Sequence, residues 1–419
     1  MLGSITAFIL SNNIPEIDEI SSVNKTTIDL NSINRGENLA AIGGCSSCHT
    51  RVGGKAYAGG VLLTTPFGKV YSTNITPDLQ TGIGTWSYSA FRRAMYKGIS
   101  REGNHLYPVF PYDHFSKVFE NDVKDIYNYI MSLDPISEPR KPNQLSFPFN
   151  FRSILAGWKF FFLEEGVYEN DPSLNDNENR GAYLVKGLGH CSACHSPRNI
   201  FGAVEKKAFL MGGNANGWHA PALGKGSIGP APWSLNNYVD YLFDGWSPAH
   251  GIAAGPMTEV VDQLYDATKE DIYAISEYLV KLSPVASEIK ISEIQKEMGK
   301  LDWVPNEETK RTLFTTSQNL INGEKVFSKN CTKCHKQITS DDQPVSLGLS
   351  ASINAKTPIN FLNIVNDGIL PPYSVPTRNM PSMGHVIKGK DLADLTSYIR
   401  KRFTNKVAWE GLEYLIKSK

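Results

Sequence analysis

Apolar residues recur at intervals of three and four in short stretches, and stretches of this kind return in the same order three times along the chain. That spacing collects the apolar side chains on one face, so each stretch predicts an amphipathic helix. Each of the three units has an opening helix, a second helix that ends in glycine, and a closing helix. The opening helices include residues 35–39, 180–184 and 322–326; the glycine-ended helices are 91–98, 238–245 and 361–368; the closing helices include 125–130, 271–279 and 391–399.

Stretches without this spacing separate the units. Residues 135–148 are rich in proline, and residues 283–312 are charged with little apolar repeat, as is typical of linkers. The sequence therefore predicts three tandem domains joined by two linkers. The predicted boundaries are 30–135 for domain 1, 136–175 for a linker with an aromatic helix, 176–284 for domain 2, 285–315 for a second linker, 316–405 for domain 3 and 406–419 for a C-terminal tail.

One C-x-x-C-H motif follows each opening helix, and the three motifs use all six cysteines. Two thiols one helical turn apart, with a histidine next to the second, are the attachment signature of c-type haem. The thiols form thioethers with the porphyrin, and the histidine becomes the proximal iron ligand. Zinc would need four ligands where each motif offers three, and a redox disulfide would not need the histidine. The motifs are Cys45, Cys48 and His49; Cys191, Cys194 and His195; Cys331, Cys334 and His335.

The order of parts in each unit is that of a class I cytochrome c domain: helix, haem motif, wrapping loop, ligand loop, closing helix. The sequence thus predicts a mainly α chain of three such domains with three covalent haem c groups. A low-spin haem needs a sixth ligand, normally methionine or a second histidine. Met257 in the second unit and Met380 in the third each lie beside a proline, in segments predicted to be loops before the closing helices. Met383 is the competitor of Met380.

The first unit departs from this pattern. At the interval from His49 that matches Met257 stands Phe110, which cannot bind iron. Met95 aligns with apolar helix positions of the other units, and we interpret it as a core residue. His114, four residues after Phe110, is the first choice for the sixth ligand. His105 is the second, and an open position that would permit ligand chemistry is the third.

Composition and the haem motifs limit which partners and which cellular compartment we expect. Lysine plus arginine equals aspartate plus glutamate at 42 each, and no basic run suggests nucleic acid. Thioether attachment indicates an oxidising compartment, in bacteria the periplasmic face of the inner membrane. Residues 1–10 are apolar but lack a positive start and a clear cleavage site, so we expect an eroded export signal or a misplaced start. No stretch is long and apolar enough to span a membrane.

Two further segments lie outside the repeated units. Residues 149–167 contain Trp158 and three consecutive phenylalanines, which favours a helix packed between two domains over a partner-docking surface. Residues 407–419 place apolar side chains at helical spacing. That tail could lie on a membrane surface or dock on the protein itself.

At this point the chain resembles the triheme cytochrome c subunits of membrane-bound bacterial dehydrogenases that act on alcohols, aldehydes, gluconate, fructose or sorbitol. The resemblance covers about residues 34–403. It rests on Tyr57-Ala58-Gly59-Gly60, on the run 65–78, on 81–84, on Leu106-Tyr107-Pro108, on Ala156-Gly157-Trp158-Lys159, on 187–190 before the second motif and on Pro197-Arg198-Asn199 after it.

The resemblance implies an electron-transfer subunit without substrate chemistry of its own. It would be peripheral to the inner membrane and would pass electrons from a flavin, PQQ or molybdopterin dehydrogenase subunit to ubiquinone. Most relatives carry methionine where Phe110 stands. The Phe-Pro-Tyr-Asp-His-Phe form found here is similar to the cytochrome partners of molybdenum hydroxylases, which tilts the expected partner toward molybdopterin. The competing hypotheses are a multihaem peroxidase or reductase acting at an open first haem, and a haem-bearing docking scaffold.

Overall fold

The computed structural model describes residues 14–224, 227, 231–283, 317–335, 347–376, 378–404 and 406–417. These residues belong to two compact units. The first unit is built from the described parts of Met1–Ala193, Arg198–Glu205 and Asp266–Tyr278, and the second from those of Cys194–Pro197, Lys206–Tyr265 and Leu279–Lys419. The second predicted domain contributes to both units, and the three-domain division stays a prediction.

The described part of the chain is mainly α, as predicted. Its helices are α1 (Leu30–Ile42), α2 (Cys45–His49), α3 (Tyr88–Lys97), α4 (Tyr112–Phe115), α5 (Glu120–Ser132), α6 (Ile154–Phe162), α7 (Asp176–Lys186), α8 (Ser192–His195), α9 (Leu235–Asp244), α10 (Pro256–Leu264), α11 (Lys269–Leu282), α12 (Gln318–Asn330), α13 (Ala351–Asn354), α14 (Ile359–Asp367), α15 (Gly389–Thr404) and α16 (Leu412–Lys417). Its strands are β1 (Leu62–Thr65), β2 (Gly68–Tyr71), β3 (Gln144–Leu145), β4 (Gly213–Ala215), β5 (Trp218–Ala220), β6 (Trp246–Ser247) and β7 (Gly251–Ile252).

Each opening helix crosses its closing helix at a glycine, and the crossing is the same in all three pairs. A Cβ at Gly36 of α1 would overlap the backbone oxygen of Asp125 in α5. The overlap recurs between Gly181 of α7 and Ala274 of α11, and between Gly323 of α12 and Asp394 of α15. A tyrosine four residues further along each closing helix packs against the same glycine: Tyr129, Tyr278 and Tyr398. Only glycine lets two helix backbones approach this closely.

Ion pairs support the crossings in the first unit. The Arg35 guanidinium donates to the Asp125 carboxylate at 2.7 Å, and the Arg180 guanidinium donates to the Asp271 carboxylate at 2.7 Å. Both aspartates are largely buried, but Arg35 is 59% exposed and Arg180 34% exposed, so water screens each pair in part and its contribution to stability is modest.

The glycine-ended helices also appear where the sequence predicts them. Ser87 and Ser234 accept a backbone hydrogen bond in the first turns of α3 and α9. Gly98 and Gly245 follow those helices in the left-handed conformation, as expected of glycine caps. Gly368 after α14 has a φ of 79° but an extended ψ of −169°, so the predicted left-handed cap is wrong at that position. Met95 is buried on α3, which confirms its interpretation as a core residue.

The linker between the first two haem motifs is more structured than its composition suggests. β3 lies in residues predicted to be a linker and pairs antiparallel with β2, which pairs in turn with β1. The Asn143 side chain accepts a hydrogen bond from Tyr71 N at 3.0 Å and extends this anchorage. The second predicted linker, 285–315, lies outside the described residues.

The C-terminal tail docks on the protein. Trp409 and Leu412 are buried in the core that the second unit builds around Phe361 and Tyr398. The indole of Trp409 donates to Ala355 O at 3.0 Å, and the Arg400 guanidinium lies 3.9 Å from the indole centre. Of the two alternatives left open for this tail, the structure favours docking on the protein over a membrane surface.

The aromatic helix was expected to be packed between domains, and this interpretation is wrong for two of its three phenylalanines. α6 buries Leu155, Ala156 and Lys159, whereas Phe160 and Phe161 are exposed in the first unit. No helix in the described ranges is long and apolar enough to cross a membrane.

The glycine crossings give a direct stability test. We expect Gly181→Ala to destabilise the haem-loaded protein by about 1–3 kcal/mol or more, because the new methyl meets backbone that cannot move aside. Gly157→Ala in α6 is the matched control, since its Cβ would meet nothing within 4 Å and alanine is the better helix former. Denaturant midpoints of both variants measure the difference. Equal midpoints would show that the α7–α11 crossing tolerates a side chain.

Candidate haem-binding sites

The first proximal histidine is held by backbone groups on two sides. His49 ends α2, and its carbonyl accepts from Gly59 N at 2.6 Å. Its ring Nδ1 lies 2.6 Å from Thr73 O, and because a carbonyl only accepts, Nδ1 carries the proton. Nε2 is then the unprotonated nitrogen, as an iron ligand requires.

The second proximal histidine has the same arrangement. His195 ends α8, its carbonyl accepts from Gly212 N at 2.7 Å, and its Nδ1 donates to Pro221 O at 2.6 Å. Burial lowers the pKa of both His49 and His195 below the ordinary value, which favours the neutral imidazole that binds metal. Two of the three predicted proximal histidines therefore present the tautomer that haem iron needs.

Sequence reasoning missed the loop that produces this arrangement. The hydroxyl after each histidine, on Thr50 and on Ser196, accepts a backbone N–H from Tyr57 and Leu210 respectively. Tyr57 has a φ of 59° and Leu210 a φ of 57°, a conformation uncommon for residues other than glycine. The signal was the Gly-Gly pair two residues after each of them, hidden because the two loops differ in length.

The third motif begins at Cys331, directly after the end of α12. His335 N donates to Cys331 O at 2.9 Å, and burial lowers the pKa of the His335 imidazole. Its Nδ1 is buried and has no hydrogen-bond partner among the described residues, which end at 335 and resume at 347. A buried ring nitrogen of this kind usually has a hydrogen-bond partner in a folded protein.

The cysteines have the placement that thioether attachment requires. Cys45 and Cys48 lie one turn apart on α2. Burial raises the pKa of Cys45 to about 12, with the neighbouring Cys48 contributing. Burial likewise raises the pKa of Cys331 to about 11, with Cys334 contributing. The donor set of paired thiols and neutral imidazoles fits covalent haem c.

Met257 lies in a helix, so the predicted loop at this position is wrong. It is the second residue of α10 and is half-buried. Pro256 is at the helix start, where its missing N–H costs nothing. Gly255 has a φ of 59° and lies so close to Trp218 that a Cβ would meet the indole ring. The methionine is therefore presented by a constrained turn, although the turn starts a helix.

Met380 and Met383 lie against the same core. Both are half-buried and pack on the cluster that contains Phe327 and Ile353. Met380 exchanges two backbone hydrogen bonds with Ile369, and Met383 N donates to Val365 O at 2.9 Å. Packing does not separate the two methionines, and the choice of Met380 stays a prediction.

His105 pairs with Ile99 in an isolated antiparallel bridge that follows α3. Leu106 N donates to Gly98 O beside this bridge, as Ala253 N donates to Gly245 O in the second unit, so His105 matches Ile252 there. The His105 ring is buried, and Nδ1 lies 2.9 Å from Lys159 Nζ, which also donates to Gly98 O at 2.7 Å. Burial lowers the pKa of Lys159 to about 7. His105 stays the second choice for the first haem, as a prediction.

His114 has hydrogen-bond partners on both ring nitrogens. Its Nδ1 lies 2.9 Å from Asp113 Oδ1, an orientation common among metal-binding histidines. Its Nε2 lies 2.8 Å from Ser192 Oγ, and both side chains are buried. Ser192 belongs to the second haem motif, not the first. The ligand role of His114 stays a prediction, and it requires that the ring leave Ser192.

Sequence reasoning also missed two buried histidines. His190 precedes the second motif; its Nε2 donates to Gly43 O at 3.2 Å, and burial lowers its pKa to about 4. His250 stacks on Trp233 with ring centres 3.6 Å apart, and its Nε2 is buried without a partner in the described structure. Neither histidine follows an interval that spacing arguments could recognise.

Fold and motifs together define a c-type cytochrome, and comparisons with known proteins agree. The family model for subunit III of cbb3-type cytochrome c oxidase matches residues 318–399, which span the third motif and its closing helix. The chain is 34% identical to the fructose dehydrogenase cytochrome subunit of Gluconobacter japonicus over 90% of this chain and 80% of that protein. It is 32% identical to the gluconate 2-dehydrogenase cytochrome c subunit of Pantoea cypripedii over 89% of this chain and 86% of that protein. The chain belongs to the family of dehydrogenase cytochrome c subunits.

A further relative is much longer than this chain. A nicotinate dehydrogenase subunit of Pseudomonas putida is 42% identical over 91% of this chain but only 31% of its own length. The chain therefore spans about a third of that relative.

Removing His114 separates its two possible roles. We expect His114→Ala and Ser192→Ala each to destabilise the haem-loaded protein by about 1–3 kcal/mol, and the double variant to cost less than their sum, because they remove one buried hydrogen bond. Denaturant midpoints of the three variants measure this coupling. Low-temperature EPR is the control. A bis-histidine signal that is lost in His114→Ala but kept in Ser192→Ala would establish His114 as the sixth ligand. It would contradict the alternative role, in which His114 only holds Ser192 through the hydrogen bond.

Proposed function

We propose that this chain carries three covalent haem c groups and passes electrons from a dehydrogenase to membrane ubiquinone, at the periplasmic face of the inner membrane. The observation that carries the proposal is the repeat of one arrangement: a C-x-x-C-H motif after a helix whose glycine is crossed by a closing helix. Membership of the cytochrome subunit family supports the dehydrogenase partner.

Haem c, when bound, supplies a one-electron carrier that does not leave the protein. The chain's own residues decide how each carrier is held. Cys45 and Cys48 and the corresponding pairs hold the porphyrin edge. The imidazole of His49 is kept neutral and correctly turned by Thr73 O, and that of His195 by Pro221 O. A donated Nδ1 proton makes the imidazole a stronger iron ligand.

We assign the sixth ligands as Met257 for the second haem and Met380 for the third. For the first haem, the sequence prediction is His114, with His105 as the second choice. Either histidine is a stronger donor than a thioether and would lower the potential of the first haem below the other two. Unequal ligands would thereby separate the potentials along the chain.

The form of the first ligand loop supports one type of dehydrogenase. Residues 110–115 read Phe-Pro-Tyr-Asp-His-Phe, and the relative with 42% identity is a nicotinate dehydrogenase subunit. We therefore propose a molybdopterin-dependent partner rather than a flavin or PQQ enzyme.

Electron transfer is tested with the chain bound to its copurified dehydrogenase. We expect one haem per motif by mass, and ubiquinone reduction that requires all three. Cys331→Ala/Cys334→Ala should carry one haem fewer and lose quinone reduction, while dehydrogenase activity with a soluble dye remains. A parent protein with two haems or fewer would contradict the haem count. Quinone reduction that survives without the third motif would contradict its place in the pathway.

The methionine ligands are tested by potential. Met257→Ala and Met380→Ala should each lower the potential of one haem and weaken the sulfur-to-iron band in the oxidised spectrum, because thioether ligation favours reduced iron. Met383→Ala is the matched control, since Met383 packs on the same core as Met380. It should leave both properties unchanged. A loss of the band in Met383→Ala but not in Met380→Ala would reverse the assignment.

A further inference from the structure

We propose that an aromatic ridge on the first unit binds the surface of an anionic lipid bilayer. The ridge is formed by Phe147, Phe149, Phe151, Phe160, Phe161 and Phe201, all of them exposed. The inference rests on the proposed function in one respect, since delivery of electrons to a membrane quinone requires a membrane-facing surface. It goes further by naming that surface.

Ring contacts join the phenylalanines of the ridge in groups. Phe161 packs on Phe162 with centres 6.3 Å apart, and Phe162 packs on Phe201 at 5.8 Å. Phe67 lies against Gly202 on one side and 4.7 Å from Phe149 on the other. Phe147 and Phe151 are 6.1 Å apart in the turn that follows. Exposed aromatic side chains joined in this way mark an interaction site.

The helix in this ridge exposes apolar side chains and buries a charged one, which is the reverse of the usual arrangement in water. Phe160 and Phe161 of α6 are 83% and 74% exposed, whereas Lys159 beside them is buried. Lys159 is satisfied there, because Nζ donates to Gly98 O and contacts His105 Nδ1. A helix that faces outward with phenylalanine and inward with lysine is adapted to a non-aqueous neighbour.

The charge around the ridge identifies the neighbour as an anionic lipid surface. Arg140 and Lys141 are exposed and Arg152 is half-buried, and residues 139–152, which contain all three, include no aspartate or glutamate. A cleft of about 720 Å³ is lined by Arg140, Arg152, Tyr107, uncharged polar residues, Pro142 and Leu145. Burial lowers the pKa of Arg152, Tyr107 opposes this, and the Arg140 charge adds to the lowering, so the two cations lie near each other.

The cleft and the ridge share one segment of chain. Ser146, Asn150 and Arg152 line the cleft, whereas Phe147 and Phe151, between and beside them, point into solvent. Cationic and polar groups that could receive a phosphate headgroup thus lie beside side chains suited to the acyl boundary. Phenylalanine has no hydrogen-bonding group, so the ridge suits a neighbour that makes no directional contacts.

Vesicle binding tests the proposal with the haem-loaded full chain. We expect the parent to sediment with vesicles of phosphatidylcholine mixed with phosphatidylglycerol, and less with phosphatidylcholine alone. Phe160→Ser/Phe161→Ser should weaken binding about tenfold or more, since each exposed phenylalanine loses its transfer into the interface. Leu370→Ser/Tyr373→Ser, an equally exposed pair in the second unit, should bind as the parent does.

A charge variant and a partner assay complete the test. Arg140→Gln/Lys141→Gln should weaken binding to the anionic vesicles and leave the weaker binding to phosphatidylcholine unchanged. Unchanged vesicle binding in the phenylalanine variant would overturn the proposal. Loss of the copurified dehydrogenase in that variant, with vesicle binding kept, would make the ridge a protein interface instead. Haem reduction by the dehydrogenase in detergent is measured separately, so a failure of electron transfer is not confused with a failure of membrane binding.

Discussion

The direction of each of the first two proximal imidazoles depends on one backbone carbonyl supplied from a distant part of a loop. Thr73 O lies 24 residues after His49, and Pro221 O lies 26 residues after His195. A histidine ring turns about two bonds, so without this acceptor neither its tautomer nor its orientation would be set. The carbonyl of Thr73 is itself held, because the next side chain, Asn74, is buried and donates to Ile136 O. The loops therefore determine the ligand geometry, and the glycine crossings hold the helices from which the loops depart.

The helices and motifs could be predicted from sequence because their signals are local. Apolar spacing located the opening and closing helices, and the haem motifs are contiguous. The loops could not be predicted to the same depth. Tyr57 and Leu210 adopt the same left-handed conformation after Thr50 and Ser196, but the loops differ in length, so an overlay by interval does not align them. In the structure the two loops align by their hydrogen bonds, which form whether seven or fourteen positions separate the hydroxyl from the amide.

The sixth ligand of the first haem shows what interval counting leaves out. Counting assumes that each unit completes its own site, and on that assumption His114 follows Phe110 closely enough to replace methionine. Its Nε2 hydrogen bond goes to Ser192, 78 residues further along the chain and in a different haem motif. A contact of that separation leaves no trace in spacing. His105 was ranked lower by interval, and its bridge to Ile99 matches the pairing of Ile252 with Trp246 in the second unit, where the side chain cannot bind iron.

Whole-chain composition conceals the surface around α6 for a similar reason. Forty-two positive and forty-two negative residues average to a neutral protein, while the 25-residue stretch 139–163 contains only positive ones. The run of phenylalanines was expected to be packed between two domains, since apolar residues are usually buried. The buried face of α6 is instead occupied by Lys159, whose ammonium is held by Gly98 O and His105 Nδ1. Burying that lysine is costly in isolation, and its low pKa of about 7 records the cost. The same bond ties α6 to the segment that contains His105, so the orientation that exposes Phe160 and Phe161 is coupled to the ligand loop of the first unit.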